Sequence, residues 1–370
     1  MTAPQVGRGA LSLDALIQQR LANQRITRTV RSDPARLVQW LGAVQAQEFG
    51  PAKWGLGRRL PAAVTDAKIQ RAFDAGRLLR THVMRPTWHF VAPADIRWML
   101  ELTGASVHRR MATYHRRMGL DSGMFVRAAN VCEHVLEGGQ FLTRQELSTH
   151  FARAGLPHRG YRVGHLALYC EVEGVICSGP RRGKQSTYAL LAERAPDARR
   201  LPRDEALAEL AQRYFRSHGP ATLRDFVWWS GLKAADARRG LEMHRATKVE
   251  FDGQTYWTLG RTRMGRPRAP QVSLLPVYDE YLVAYRDRIV VPHGPAMVPA
   301  RVAGYVKFQH PLVIAGQVVG TWRPGPRADD GMAEVRVAPA RRLTAVERRG
   351  LAREVARYRL FHVASPSEAT

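Results

Sequence analysis

Cysteine is nearly missing from this chain: Cys132, Cys170 and Cys177 are the only three in 370 residues. An odd count, at spacings that fit no zinc pattern, argues against a disulfide scaffold and points to small core residues in a reduced compartment. No apolar run approaches the length of a membrane span. The opening stretch MTAPQVGRGALSLDAL has no secretory apolar region. A cytoplasmic, nucleoid-associated protein without a membrane partner is therefore expected. Also missing are the HExxH, paired CxxC, phosphate-loop and GxSxG signatures. His82 and His89 lie seven apart, as do His108 and His115, but neither pair has an evident third ligand. No metal or cofactor is expected.

Acidic residues are scarce relative to basic ones, with 32 Asp and Glu against 57 Lys and Arg, a formal charge of +25. A charge of that size opposes compaction unless the partner is a polyanion. Most of the basic residues are Arg, whose planar fork grips phosphate with paired hydrogen bonds. A high-GC genome would enrich Arg over Lys, but it would not remove acids. Nucleic acid is the expected partner.

Residues 12–24 and 33–46 read as helices, the second opened by Ser32-Asp33-Pro34 and the region closed by Gly50-Pro51. Thr65 to Gly76 reads as a third helix, and LLRTHVMRPTWHFV (78–91) as two strands joined around Arg85-Pro86. Three helices followed by a hairpin is the winged-helix plan. After a long helix over 93–118 the plan repeats. Helices are expected at 124–137 and 161–173, with a helix-turn-helix entry over 141–156 where Thr143 and Glu146 form a capping box, then strand, basic loop and strand over 174–191. It repeats again over 204–259, with Thr222 and Asp225 in the capping positions. Three consecutive units with one order of elements are a repeat signal. Past a basic linker at 261–270, apolar β-branched runs separated by Gly and Pro over 272–338 argue a small barrel or curled sheet. LTAVERRGLAREVARYRLF (343–361) closes as an amphipathic helix, and ASPSEAT is expected to be loose. The expected fold class is α+β: three tandem winged-helix units (10–120, 121–195, 200–260), then a β-barrel-like unit with a terminal helix (270–362).

Asp279-Glu280 is a carboxylate pair. In a strand, adjacent residues point to opposite faces, so one of the two is a functional candidate and a shared acid–base site there is not expected. Arg85, Thr87 and His89 alternate in the first wing and would share one face, as DNA or pocket contacts or as a structural cluster. Arg181, Arg182 and Lys184 in the second wing suit phosphate contacts, with a solvated basic loop as the alternative. Trp228 and Trp229 fall at helical positions, with at least one ring in the core.

Three segments together carry a resemblance: LVQWLGAVQAQEFGPAKWGLGRR, RTHVMRPTWHFVAPADIRWML and VSLLPVYDEYLVAYRDR. In identity, order and spacing they resemble the winged-helix DNA glycosylases that remove N7-alkylated purines and unhook interstrand crosslinks (the AlkZ and YcaQ type), and the resemblance runs over nearly the whole chain. It implies that Gln45 and Gln47 are the catalytic pair, with Asp279, Tyr281 and Arg286 supporting the site or bracing the β-rich unit. The implied chemistry needs no strong acid. An N7-alkylguanine is already cationic and leaves as a neutral base, while the sugar passes through an oxocarbenium-like state. A Gln carbonyl dipole can stabilise that cation, and an amide can hold the attacking water. Residues i and i+2 share a face in an extended or helix-terminal segment, so the motif is expected where the second helix ends. Taken by themselves, the two glutamines would only satisfy backbone groups there. Lys53 is the one lysine near the motif, so a monofunctional glycosylase is expected rather than a Schiff-base lyase. The expected partner is duplex DNA with alkylated or crosslinked purines, bound by a monomer. The competing functions are a non-catalytic winged-helix regulator reading bases from its helices and an architectural DNA-binding protein.

Overall fold

The computed structural model describes residues 12–27, 29, 31–260, 270–287, 300–302, 305–307, 309–327 and 333–363. The basic linker (apart from Pro270), the apolar run RIVV and the tail ASPSEAT lie outside them. Helix α1 (Leu13–Asn23) is capped by Ser12. Next come α2 (Pro34–Leu41), β1 (Val44–Gln45), α3 (Phe49–Arg59), α4 (Asp66–Asp74), β2 (Leu79–His82) and β3 (Trp88–Val91). A single 3-10 turn leads into α5 (Ile96–Arg117). The same sequence of elements then recurs as α6 (Ser122–Leu136), β4 (Leu142–Thr143), α7 (Arg144–Arg153), α8 (Tyr161–Val172), β5 (Ile176–Ser178) and β6 (Thr187–Leu190). After α9 (Leu191–Arg194) it recurs once more as α10 (Arg203–Ser217), α11 (Leu223–Ser230), α12 (Ala234–Glu242), β7 (Thr247–Phe251) and β8 (Gln254–Thr258). The C-terminal part holds β9 (Val272–Leu274), α13 (Glu280–Val283), β10 (Ala300–Val302), β11 (Tyr305–Lys307), β12 (His310–Ile314), β13 (Gln317–Arg327), β14 (Ala333–Pro339) and α14 (Ala345–Phe361).

The three repeats share a strand order as well. The first two sheets run β1-β3-β2 and β4-β6-β5. In the third, an isolated bridge from Ala221 to Trp257 stands where a first strand would pair with the hairpin β7–β8. Capping boxes at Thr143 and Thr222 start α7 and α11; each supplies partners for two backbone groups that a helix start leaves unsatisfied. The C-terminal sheet is antiparallel in the order β14-β13-β12-β9. Register shifts between Leu312 and Val313 and between Pro324 and Arg327 bend it, so among the described residues it is a curled open sheet.

Two expectations fail here. The second helix stops at Leu41, not 46. Gly42 takes φ +84°, and a Cβ there would stand 2.9 Å from the Trp229 ring. The following residues pair instead with β3, Val44 opposite Phe90 and Gln45 opposite His89. Gly50-Pro51 does not close the region either; it lies in the first turn of α3. Proline is tolerated there because the first N–H groups of a helix have no intrahelical partner.

One hydrophobic cluster joins α2, α3 and α4 to the C-terminal sheet and α14 through Trp54, Phe90, Trp322, Tyr358 and Phe361. Another joins α5 to α10–α12 around Tyr214, Phe226 and Trp229. The second repeat keeps its own core, which includes Cys132 and Cys170; all three cysteines are free and buried. The segment 42–48 lies at the seam between the first two clusters, which contribute Val44, Ala46 and Ala43 respectively.

Candidate active site

The glutamine segment is extended and fixed from three sides. The Gln45 N–H donates to Glu280 Oε1 at 2.7 Å, and the Ala46 N–H donates to the Trp88 carbonyl at 2.7 Å. Arg80 Nε donates to the Ala46 carbonyl at 2.9 Å, and its Nη2 to the Gln47 carbonyl at 3.3 Å. The Arg80 guanidinium also lies 4.2 Å from the Trp88 ring centroid. Burial lowers it to about 10, so it stays charged at neutral pH.

The two side chains are engaged through their carbonyls. Gln45 Oε1 accepts from Arg85 Nη2 at 3.0 Å, and Gln47 Oε1 accepts from the Trp88 N–H at 3.3 Å. Neither Nε2 has a partner among the described residues. Gln45 is buried and Gln47 half-buried.

Behind them stand one carboxylate, one guanidinium and one imidazole. Glu280 is buried; its Oε2 accepts from Trp229 Nε1 at 3.0 Å. Burial alone would raise this carboxyl, but His218, the Arg85 charge and the Gln45 N–H outweigh it and hold it at about 2. His218 Nε2 is 3.6 Å away, longer than a hydrogen bond, so the direct donors are Trp229 and Gln45. Arg85 reaches the Val283 carbonyl at 3.4 Å and stands 3.5 Å from His89 Nε2. His89 Nδ1 faces the Thr87 carbonyl at 2.8 Å, which assigns the ring proton to Nδ1 and the lone pair to Nε2. Burial, with the Arg85 charge beside it, lowers His89 to about 3, so the ring is neutral.

Of the wing residues, Arg85 and His89 thus meet Gln45, while Thr87 contributes its carbonyl and its hydroxyl is buried without a partner among the described residues. Arg181 is carried to the motif: its N–H donates to Asp74 Oδ1 at 2.9 Å, and its guanidinium lies 4.6 Å from the Phe49 ring. Arg182 is occupied by Glu146 at 2.7 Å, and Lys184 is exposed. Asp279 accepts both forks of Arg59 at 2.7 Å, and the Tyr281 hydroxyl donates to the Gly316 carbonyl at 2.8 Å. The Arg286 side chain is exposed; its backbone N–H donates to Asp225. Asp279 and Tyr281 thus tie α13 to α3 and to Gly316, while the side chain of Arg286 takes no part in these contacts. Asp279 and Glu280 cap and open α13 rather than lying in a strand, a correction that lets one hold α3 and the other the motif. Lys53 Nζ is held by Asp66 at 2.7 Å and Gln70 at 3.0 Å. His82 pairs with Glu171, and His108 with Glu173 at 2.6 Å. Among the described residues no group of three His, Cys, Asp or Glu is placed to hold a metal. Trp228 is 42% exposed and Trp229 fully buried.

Sequence reasoning passed over Arg80 and Trp88, and it named Glu280 and Trp229 without placing either against the glutamines. The available signal was an acid inside the largely apolar run VYDEYLV, since a buried carboxylate requires donors.

Two clefts border residues next to the motif, and Gln45 and Gln47 themselves line neither. One, ≈ 570 Å³, opens between the first hairpin and α7–α8 and is lined by Arg80, Trp88, Arg144, Glu171 and Tyr188. The other, ≈ 770 Å³, lies toward the C-terminal sheet and is lined by Glu48, Tyr278, His310, Arg323 and Arg336. Both are of ligand-binding size.

A family model described as DNA glycosylase AlkZ-like matches residues 38–361. The interstrand DNA cross-link repair glycosylase of Streptomyces sahachiroi is 25% identical over 321 residues, which is 82% of this chain and 85% of the relative. The solved structure of the Streptomyces sahachiroi DNA glycosylase AlkZ superposes with a TM-score of 0.76 at 24% identity, covering 94% of this chain and 97% of that one.

Proposed function

The chain belongs to the AlkZ-like DNA glycosylases, enzymes that hydrolyse N-glycosidic bonds in DNA, and from that premise we propose that Gln45 and Gln47 perform the hydrolysis on N7-alkylated purines, including interstrand crosslinks. One observation carries the assignment. Both side-chain carbonyls are fixed by donors while both amide nitrogens are without partners among the described residues. Gln47 Oε1 does satisfy a backbone N–H, but Gln45 Oε1 is held by the Arg85 side chain, which backbone satisfaction does not require. Fixed dipoles beside a cleft are what stabilise developing charge without reorganisation.

The two amides divide the work. Gln45 Oε1 is taken by a cation, so its carbonyl is a poor acceptor for anything further, and its Nε2–H groups are the functional end. They donate to an acceptor on the damaged nucleotide and fix its register. Gln47 Oε1 has one longer bond, at 3.3 Å, and keeps a lone pair for a water proton. That water sits below C1′. The C1′–N9 bond breaks with its electron pair going to the alkylated base, which leaves neutral. The water oxygen bonds to C1′, and the surplus proton passes to solvent. The Glu280 carboxylate lies one hydrogen bond behind Gln45. It offsets Arg85, so the positive charge of this region does not fall on the oxocarbenium-like sugar.

We read each repeat as a winged-helix unit and the protein as a monomer. The relative's cross-link repair activity motivates extending the substrate to crosslinks. A crosslinked base is tied to both strands and cannot be swung fully into a closed pocket, which suits a motif set between clefts that reach its neighbours Trp88 and Glu48. The test is a duplex carrying one nitrogen-mustard crosslink between guanines, run on a denaturing gel after incubation. Separation of the strands together with alkali-labile abasic sites is expected. Release of 7-methylguanine from singly methylated duplex, with the crosslinked duplex left intact, would restrict the substrate to monoadducts.

A further inference from the structure

Interior arginines here are generally paired with acids. Arg59 has Asp279, Arg213 has Asp95 and Glu209, Arg20 has Asp225, and Arg58 has Glu354. Buried Arg80 and Arg85 bond instead to carbonyl oxygens, whereas half-buried Arg25 and exposed Arg216 have neither kind of partner among the described residues. Both guanidiniums stack on one indole, 4.2 and 4.3 Å from the Trp40 ring centroid. Neither has a carboxylate within ion-pair distance among the described residues. Half-buried Arg25 takes φ +60°, a conformation that L side chains rarely adopt. Its guanidinium is lowered by burial and by the charge of Arg216. Two like charges held together on one ring call for an anion between or beside them.

The place for one exists. A cleft of ≈ 410 Å³ is lined by both arginines, Trp40, Ser32, Arg36 and Gln212. Glu209 also borders it, with its Oε1 held by Arg213 at 2.6 and 2.8 Å. Trp40 itself is fixed by its Nε1–H bond to the Asn23 carbonyl at 2.8 Å. The cleft is tied to the site. Helix α2, which carries Trp40, leads directly into β1. Arg216 lies two residues before His218, whose ring stands 3.6 Å from Glu280.

We infer that this cleft is a phosphodiester-binding site, in which Arg25 and Arg216 each take one backbone phosphate of duplex DNA outside the lesion. It rests on the DNA-glycosylase reading for the identity of the polyanion. Guanidinium is the side chain suited to that role, because its fork matches two phosphate oxygens. Trp40 acts as the rigid plate that holds both forks.

The test is the salt dependence of binding to undamaged duplex by the full chain, followed by fluorescence anisotropy between 50 and 200 mM salt. Each phosphate contact contributes about 0.9 to the slope of log K against log salt. The variant Arg25→Gln/Arg216→Gln should therefore lower the slope by about 1.8, so that the affinity lost across that range shrinks about tenfold. Arg25→Lys/Arg216→Lys should keep most of the slope. If the double Gln variant does not fold, judged by its melting transition, exposed Arg216→Gln alone should lower the slope by about 0.9. An unchanged slope in a folded variant overturns the assignment. Inorganic pyrophosphate separates the remaining source: saturation at micromolar concentration with no effect on DNA binding would make this a site for a free phosphate ligand and end the DNA assignment. Failure of the catalytic reading would look different, with no base release by the wild-type chain while the slope still responds to the variant.

Discussion

At the scale of single residues, the neutral imidazole of His89 links the site to stability. The folded ring titrates near 3, against about 6.5 in an unfolded chain. Because the folded value is the lower one, the stability tied to the neutral ring is complete above pH 6.5. It is lost as pH falls toward 3. Between pH 6.5 and 5 the loss is about 2 kcal/mol. The urea midpoint should therefore fall from pH 7 to pH 5, and His89→Gln should remove about that much of the decline; an unaltered decline would mean that another group carries it. Glu280 adds a separate acid window. Held at about 2, it contributes stability present above pH 4.5 and lost as pH falls to 2. Gln45 and Gln47 were legible in the sequence only by resemblance, since nothing in a Gln-x-Gln spacing requires function. Glu280 was not legible as a partner, because its bond to Gln45 spans 235 positions and no local pattern encodes such a contact.

At the scale of elements, local chemistry was a good guide wherever a helix start was written in adjacent residues. The Thr143 and Thr222 boxes are present as read, and Asp33 and Thr65 cap α2 and α4. It failed at α3. Gly50-Pro51 reads as a stop, yet the helix begins at Phe49, because Pro51 costs nothing in a first turn. The consequence is a glycine-bearing helix pressed on α14. A Cβ at Gly57 would stand 2.3 Å from Phe361 Cε2. In an exposed helix Gly→Ala would gain up to about 1 kcal/mol. Here Gly57→Ala should instead cost about 1–3 kcal/mol through overpacking, read as a lower urea midpoint with unchanged slope. A gain in stability would show that Phe361 moves aside freely.

At the scale of the molecule, the repeats were legible because each carries its own caps and hairpin, and the curled sheet because its apolar β-branched runs are separated by Gly and Pro. How the units meet was not legible. The seam that holds Gln45 is made by contacts among the first repeat, α11 and α13, joined through Trp229 and Glu280. The same packing weighs against a regulator reading bases with α8. That helix turns Glu171 onto His82 and Trp88, and Val172 toward Gly104 of α5, so part of its face is already used. Among the described residues no helix is long and apolar enough to cross a membrane.

The most direct test of the central claim is single-turnover base release from a duplex bearing one N7-methylguanine, measured for the wild-type chain and for Gln45→Ala/Gln47→Ala at saturating protein. Alkali cleavage at the lesion should fall by about 100-fold or more in the double variant, with duplex affinity retained. Wild-type rates in a folded variant that still binds DNA would contradict the assignment of the chemistry to the glutamine pair.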